Sequence, residues 1–334
     1  MKIDRYLIIF LFFIIQSCSS QTQKINGLSF VASPKPIDIN HVSPVLNINA
    51  NYCAIMPFGF ISSIEHPEIV FNTNRQWFGE TISGAKQYIE TLKSQGVKIM
   101  LKPQIWVSHG SFTGFIKMNS EANWKLLEAS YSKFILDNAV LAEEMGVEIL
   151  CIGTELEQFV ANRPDYWKNL IQDIKKVFKG KLTYAANWDE FKRTPFWSDL
   201  DYIGVDAYFP ISDSKTPTVE EFREGWKPHV EVIKSISETH GKPVLFTEFG
   251  YRSTDYTGKE PWISDHTIKS LNLNGQSNAT KALFEEFWKE DWFAGGFVWK
   301  WFHNHDQVGG KNDNQFTPQN KPVELILKNY FSKG

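Results

Sequence analysis

The stretch LAEEMGVEILCIGTE, residues 141–155, carries the pattern that most clearly indicates the fold. Its first part completes a long amphipathic pattern over Asn123–Met145, and Gly146 follows as a residue suited to ending a helix. The run Glu148–Gly153 is then predominantly apolar, as in a parallel strand buried on both faces. A single carboxylate, Glu155, follows two residues later. A helix, a glycine and a buried strand in this order are typical of a β/α unit.

The same unit recurs along the chain. Eight strand candidates are mostly runs of valine, isoleucine, leucine and phenylalanine: Leu28–Ala32, Tyr52–Gly59, Lys98–Val107, Glu148–Gly153, Leu182–Ala186, Tyr202–Tyr208, Pro243–Phe249 and Gly296–Phe302. Helical patterns that run up to a glycine separate several of them: Ser83–Gln95, Asn123–Met145, Asp165–Phe178 and Val219–Thr239. The first connection, Ile37–Ala50, is a weaker helix candidate because Pro44 interrupts it.

These units predict an α/β fold with a single (β/α)8 TIM barrel. A doubly wound open sheet is the alternative, but such a sheet usually has a glycine-rich phosphate loop after its first strand, and the sequence has none. The net charge is −3 with both signs mixed, so the basic stripe of a nucleic-acid-binding protein is missing. Aromatic residues make up 15% of the chain, which suits a cleft that stacks sugar rings. Cys53 and Cys151 lie in apolar strand candidates and are expected to be buried free thiols.

The first 26 residues are interpreted as export and anchoring signals. A short basic start precedes the apolar run Tyr6–Ile15, which resembles a secretory signal peptide. The four residues that end at Cys18 resemble a bacterial lipobox, in which the cysteine is lipidated; an ordinary cleaved signal is the alternative. We therefore expect a signal peptide at 1–17, a lipidated tether at 18–26 and one barrel domain at 27–334. This places a monomeric barrel on the cell envelope, on the periplasmic or outer-surface side, with lipid as its only link to the membrane.

Two glutamates follow or end predicted strands. Glu155 comes just after the fourth strand, and Glu248 lies at the end of the seventh. In such barrels the chemistry lies where strands end and loops begin. A carboxylate beside a buried strand is costly unless it is paired, hydrogen-bonded or used. Either glutamate alone could simply cap a helix or pair with a lysine or arginine. Two carboxylates that converge across a barrel mouth are what glycoside hydrolysis requires.

The ordered motifs resemble clan A of the retaining glycoside hydrolases and, more narrowly, glycoside hydrolase family 113. The matching segments are Leu101–Pro103, Ile152–Leu156, Leu182–Trp188, Asp201–Pro210 and Pro243–Tyr251. The resemblance implies a TIM-barrel enzyme without a cofactor that cleaves β-1,4-mannosidic linkages by double displacement. It also implies that Glu155 is the acid/base and Glu248 the nucleophile. The alternatives are hydrolysis of another β-glycan, an exo-acting mannosidase, or a glycan-binding lipoprotein without turnover.

The resemblance also suggests substrate-binding residues. Tyr208 ends the sixth strand and is expected to hydrogen-bond the nucleophile, while Asp206 could contact sugar or hold a buried lysine such as Lys102. Trp299 in the eighth strand is expected beneath the sugar at the cleavage point. Packing in the core or at the rim is the alternative for each aromatic residue. Further candidates at the ends of the third and fifth strands are Trp106, His109, Asn187 and Trp188.

Two segments depart from the expected pattern, and one invites a metal interpretation. Thr154 precedes the predicted acid/base where many clan A enzymes have asparagine, and Ser111–Gly114 replaces a Trp-Arg-Gly segment of relatives. These changes leave the sugar 2-hydroxyl contact and the substrate preference open. The cluster His303–Asp306 contains two histidines but no third ligand at a recognisable spacing, so no metal site is predicted and a polar active-site loop is expected.

Overall fold

The computed structural model describes residues 23–264 and 267–333, and at its centre eight parallel strands of this part of the chain close into a barrel. The strands are β1 (Ile25–Phe30), β2 (Tyr52–Ile55), β3 (Lys98–Leu101), β4 (Ile149–Thr154), β5 (Lys181–Asn187), β6 (Ile203–Asp206), β7 (Val244–Phe249) and β8 (Phe293–Trp301). Neighbours in the chain pair with each other, and β1 also pairs with β8 to close the barrel. The predicted TIM barrel is confirmed.

Helices cover the outside of the barrel. They are α1 (Ile39–Asn47), α2 (Ile82–Lys93), α3 (Glu121–Glu144), α4 (Glu157–Asn162), α5 (Pro164–Val177), α6 (Val219–His240), α7 (Leu273–Phe287) and α8 (Pro322–Phe331). The side chain of Ser120 accepts the amide of Asn123 at the start of α3, and Gly146, with a φ of 57°, follows its end. Helix α1 forms although Pro44 lies inside it. Between β5 and β6, residues 188–202 are all described and contain only the 3-10 turn Trp197–Asp199.

Two predicted strands are each divided in the structure. The run Tyr52–Gly59 breaks after β2, and the run Lys98–Val107 breaks after β3, because Pro57 and Pro103 lack the amide that would continue each ladder. Beyond the prolines, the chain forms a separate sheet of Phe58–Ile61, Gln104–Val107 and Val70–Phe71, which we call the rim sheet. The rim sheet extends β2 and β3 beyond the C-terminal end of the barrel.

The barrel begins before the predicted boundary at residue 27. Lys24 is buried and donates to the carbonyls of Glu290 and Phe293, and β1 starts at Ile25, so these positions belong to the barrel instead of the tether. Cys18 and the predicted signal peptide lie outside the described residues. Among the described residues, no helix combines the length and apolarity needed to cross a bilayer.

Apolar side chains fill the barrel and the layer between strands and helices. The interior cluster draws on nearly every strand: Ile25, Ala54, Met100, Ile149, Cys151, Ala185, Leu245 and Phe297. Cys53 and Cys151 are both buried and free, as expected. Because the interior is packed rather than hollow, chemistry is confined to the rim at the C-terminal ends of the strands.

Candidate active site

Charged side chains occupy the C-terminal end of the barrel interior. Lys102 follows β3, Asp206 ends β6 and Glu248 lies near the end of β7. All three side chains are buried. Parallel strands end on the same rim, so residues more than 100 positions apart in the chain meet here, as the separation of 104 between Lys102 and Asp206 illustrates.

Glu248 accepts hydrogen bonds from three side chains. Lys102 Nζ and Gln104 Nε2 both donate to its Oε1, the latter over 2.9 Å. The Tyr208 hydroxyl donates to Oε2 over 2.9 Å, which is the hydrogen bond expected between Tyr208 and the predicted nucleophile. All three neighbours are donors, which matches an ionised carboxylate and fixes its orientation. Burial, together with the charge of Glu248, raises the pKa of Tyr208 well above its ordinary value, which keeps its hydroxyl a donor.

Lys102 lies between two carboxylates. Its ammonium is 3.2 and 3.3 Å from the Asp206 oxygens and also contacts Glu248. Burial alone would lower the pKa of Lys102, but the two carboxylates outweigh burial and raise it. Burial and the charge of Glu248 raise the pKa of Asp206 to about 7, against the opposing effects of Lys102 and the Thr247 hydroxyl. Of the two roles predicted for Asp206, the lysine pairing is present in the structure, and the residue is only 1% exposed.

Glu155 directly follows β4 and is partly exposed at the rim. Its φ of 50° is in the left-handed region, which is uncommon for a residue with a side chain. Its amide donates to the carbonyl of Ala185 in β5 over 2.8 Å. Burial raises the pKa of Glu155 well above its ordinary value, and the negative charges of Asp206 and Glu248 raise it further. The two predicted carboxylates thus lie close enough to interact electrostatically, and their surroundings differ: the pKa of Glu155 is raised, whereas Glu248 is surrounded by donors.

Other predicted residues lie on the surrounding strand ends and loops. Trp299 is half-buried near the end of β8, and the ammonium of Lys300 is 5.5 Å from its ring centroid. Trp188 follows β5 and stacks on Trp262, with ring centroids 5.4 Å apart and an interplanar angle of 14°. His109 is exposed in a short turn after the rim sheet.

Two polar atoms at the ends of β4 and β5 have no hydrogen-bond partner among the described residues. They are the buried Thr154 Oγ1 and Asn187 Oδ1. Thr154 immediately precedes Glu155, and Asn187 is one of the predicted binding residues. An unpaired buried acceptor or hydroxyl is costly, and a hydrogen bond with a ligand hydroxyl would offset that cost.

One face of the rim sheet turns toward Glu248. Gln104 reaches Glu248 from this sheet, and side chains two apart on a strand share a face, so Trp106 lies on the same side. Phe58 pairs with Gln104 and Phe60 pairs with Trp106, which adds two aromatic rings to this face. Trp106 is 53% exposed. Sequence reasoning identified Trp106 but missed the others, because it placed residues 52–59 and 98–107 in single strands.

Gln104 was also not anticipated, although a signal was present. It follows a buried strand by three residues, a position similar to that of Glu155. An amide carries no charge, however, so its burial lacks the high cost that singles out a carboxylate at such a position.

The histidine cluster has separate neighbours rather than a common centre. The ring of His303 lies 5.2 Å from the ring of His41. His305 contacts Glu324 and Asp306. Within residues 23–264 and 267–333, no group of three or more histidine, cysteine or acidic side chains is arranged to hold a metal ion.

Comparison with known families identifies this barrel. A sequence profile of Glycoside Hydrolase Family 113 matches residues 39–321. The chain belongs to glycoside hydrolase family 113. It is a glycoside hydrolase, and its carboxylate-lined rim lies where hydrolases with this fold carry out their chemistry. A search of curated protein sequences finds no significant match.

Solved structures support the same assignment of fold. The family 113 β-mannanase AaManA from Alicyclobacillus acidocaldarius, in complex with ManMIm, is similar with a TM-score of 0.81 and 23% identity, over 93% of this chain and 97% of that one. A second family 113 β-1,4-mannanase is similar with a TM-score of 0.81 and 20% identity, over 93% of this chain and 100% of that one. A β-glucuronidase from Faecalibacterium prausnitzii is more distant, with a TM-score of 0.61 and 15% identity, over 93% of this chain and 49% of that one.

Proposed function

We propose that this family 113 enzyme cleaves β-1,4-mannosidic linkages inside mannans by a retaining double displacement, with Glu155 as acid/base and Glu248 as nucleophile. The contrast between the two carboxylates carries the proposal. Glu248 accepts hydrogen bonds from three donors, whereas burial and adjacent negative charge favour the protonated form of Glu155. A retaining glycosidase needs one carboxylate in each state.

In the first step, a carboxylate oxygen of Glu248 attacks the anomeric carbon, and the bond from that carbon to the glycosidic oxygen breaks. The proton of Glu155 moves to this oxygen, so the leaving sugar departs as a neutral alcohol. Gln104 and Tyr208 hold the attacking carboxylate in place. Lys102 keeps Asp206 as its partner when Glu248 becomes an uncharged ester.

In the second step, water attacks the anomeric carbon and the ester bond to Glu248 breaks. Glu155 has given up its proton and now accepts one from the water. Its pKa falls at this stage because the negative charge of Glu248, which contributed to raising it, is gone. Glu248 leaves as a carboxylate, and the product keeps the β configuration after two inversions.

The sugar contacts belong to the residues that surround the pair. We assign Trp299 to the ring at the cleavage point and the rim-sheet face with Trp106 to a neighbouring ring. Thr154 Oγ1 and Asn187 Oδ1 lack other partners among the described residues and suit sugar hydroxyl groups. His109 and Trp188 are assigned to outer parts of the cleft. The two similar family 113 structures are a β-mannanase and a β-1,4-mannanase, which supports mannan as the substrate.

We further propose that the enzyme works as a monomer on the cell envelope, anchored through lipid on Cys18. The support is the basic, apolar and small-residue order of the first 18 residues. Metabolic labelling with a fatty acid, compared between the native protein and Cys18→Ala, tests the anchor. Sedimentation of the detergent-solubilised protein tests the monomer.

Reducing-sugar release from β-1,4-mannan by purified protein tests the main proposal, with Glu155→Ala and Glu248→Ala beside the native chain. Glu157→Ala is the matched control, because Glu157 lies two residues from Glu155 but pairs with Arg193. We expect activity to collapse in the first two variants and to persist in the third. Proton NMR of the first-formed product should show the β anomer. Turnover of glucan or xylan instead of mannan would reassign the substrate, and glycan binding without turnover would contradict the enzymatic proposal.

A further inference from the structure

Glu190 is a buried carboxylate that the two proposed steps do not use. It follows β5 by three residues, and its side chain is 1% exposed. Its Oε1 accepts the Tyr184 hydroxyl over 2.7 Å, and its Oε2 accepts the Asn187 amide over 3.1 Å. Burial of a carboxylate to this extent is costly, and these hydrogen bonds offset part of the cost.

The hydrogen bonds of Glu190 continue to the residue next to Glu155. The Tyr184 hydroxyl donates to Glu190 and at the same time accepts the amide of Leu156 over 2.7 Å. The amide of Glu155 itself is held by Ala185. Two successive amides are therefore fixed to β5 at the point where Glu155 has a φ of 50°. Such a conformation persists in a non-glycine residue only where the surroundings hold it.

We propose that Glu190, acting through the Tyr184 hydroxyl, is a positioning residue that holds Glu155 in the orientation needed to protonate the leaving group. This inference rests on the proposed role of Glu155 as the acid/base. A Glu190 oxygen accepts the hydrogen bond from the Tyr184 hydroxyl, so that hydroxyl points away from Leu156 and its oxygen is free to accept the Leu156 amide. When Glu190 is ionised, its charge adds to the burial and to the charges of Asp206 and Glu248 that raise the pKa of Glu155.

Two substitutions interrupt this connection at different points. Tyr184→Phe removes the hydroxyl and leaves the Leu156 amide without its partner. Glu190→Gln keeps the size of the side chain but replaces one carboxylate oxygen with an NH2 group. That group faces either the Tyr184 hydroxyl or the Asn187 amide, which are both donors, so at least one of the two hydrogen bonds is lost.

Tyr131→Phe is the matched control. Tyr131 is also a buried tyrosine, and its hydroxyl donates to the carbonyl of Ile152 in β4 over 2.8 Å. Its ring lies 5.4 Å from Trp167, which also packs against Tyr184, with ring centroids 5.7 Å apart. The control therefore loses a comparable buried hydrogen bond in the same packing environment without touching Glu190.

The decisive measurement compares kcat/KM on phenyl and dinitrophenyl β-mannobiosides, with Glu155→Ala as the reference. Dinitrophenolate departs without a proton, whereas phenol needs the acid, and kcat/KM reports only the steps through departure. We expect Tyr184→Phe and Glu190→Gln to lose roughly 10- to 100-fold on the phenyl substrate and less than about 3-fold on the dinitrophenyl substrate. Tyr131→Phe should lose equally little on both. Circular dichroism and Tm confirm that each variant is folded.

The outcomes separate two failures. If Glu155→Ala shows the selective loss but Tyr184→Phe and Glu190→Gln behave like Tyr131→Phe, the positioning role is overturned and the acid/base assignment stands. If Glu155→Ala shows no selective loss, the assignment of the acid fails and the positioning role fails with it. Equal losses on both substrates in the Tyr184 and Glu190 variants would indicate a purely structural role and also overturn the proposal.

Discussion

Lys102→Met should disable the site and destabilise the fold together. Methionine matches the length and apolar stem of lysine but removes the ammonium that lies between Asp206 and Glu248. Neither carboxylate then has a cation within 4 Å among the described residues, so we expect one of them to take up a proton. If that carboxyl is Glu248, the nucleophile is lost; if it is Asp206, Glu248 still loses a hydrogen-bond donor.

The size of the effect follows from the geometry. The Lys102 ammonium is 3.2 Å from Asp206, where Coulomb's law with an effective dielectric constant of 20 gives an attraction of roughly 5 kcal/mol. Desolvation of the ions offsets part of this in the native protein. Removal of one member of a buried ion pair usually costs about 3–5 kcal/mol, and we expect the free energy of unfolding to fall by about that amount.

Urea unfolding and mannan hydrolysis measure the two effects. We expect a loss of kcat of at least roughly 100-fold, because the nucleophile loses a charged hydrogen-bond donor. Lys133→Met is the control, because Lys133 pairs with Asp137 in a partly exposed i, i+4 contact. Its free energy of unfolding should change by less than about 1 kcal/mol. If Lys102→Met keeps native activity and stability, the carboxylates do not depend on this cation and the reasoning is wrong.

Three further predictions concern the nucleophile, the rim and pH. Tyr208→Phe removes a hydrogen-bond donor to Glu248, and assays of mannan hydrolysis should show a kcat lower by roughly 10- to 100-fold. Trp106→Ala should raise KM for mannan several-fold with little change in kcat, measured beside mannobiosides too short to reach that ring; an unchanged KM would remove Trp106 from the cleft. Burial raises the pKa values of Asp206 and Glu190 to about 7, so the folded chain binds protons that the unfolded chain releases above about pH 4. Their contribution to stability is present at low pH and is lost as pH rises to about 7, by up to about 1.4 kcal/mol per unit for each group. Urea titrations should therefore show a weaker pH dependence in Glu190→Gln than in the native chain, and equal slopes would contradict the shift.

Local patterns were enough to predict the barrel and to find its two carboxylates. Burial on both faces gives a strand a continuous apolar run, and a glycine after a helix supplies the left-handed turn, so both signals are contained in a few neighbouring residues. Glu155 and Glu248 could be found because each directly follows or ends such a run. Pro57 and Pro103 are equally visible in the sequence, but the apolar runs continue across them, so the pattern alone predicts unbroken strands.

The partners of the two carboxylates depended on barrel closure. Lys102, Asp206 and Glu248 come from three strands, and their meeting is set by strand stagger and tilt around the barrel axis. A one-residue change of register would turn each side chain to the opposite face of the sheet. Strand periodicity repeats every two residues and says nothing about which residue lies across the barrel. The identity of each carboxylate is therefore local information, whereas its charged neighbours are assembled only when the barrel closes and distant strands meet.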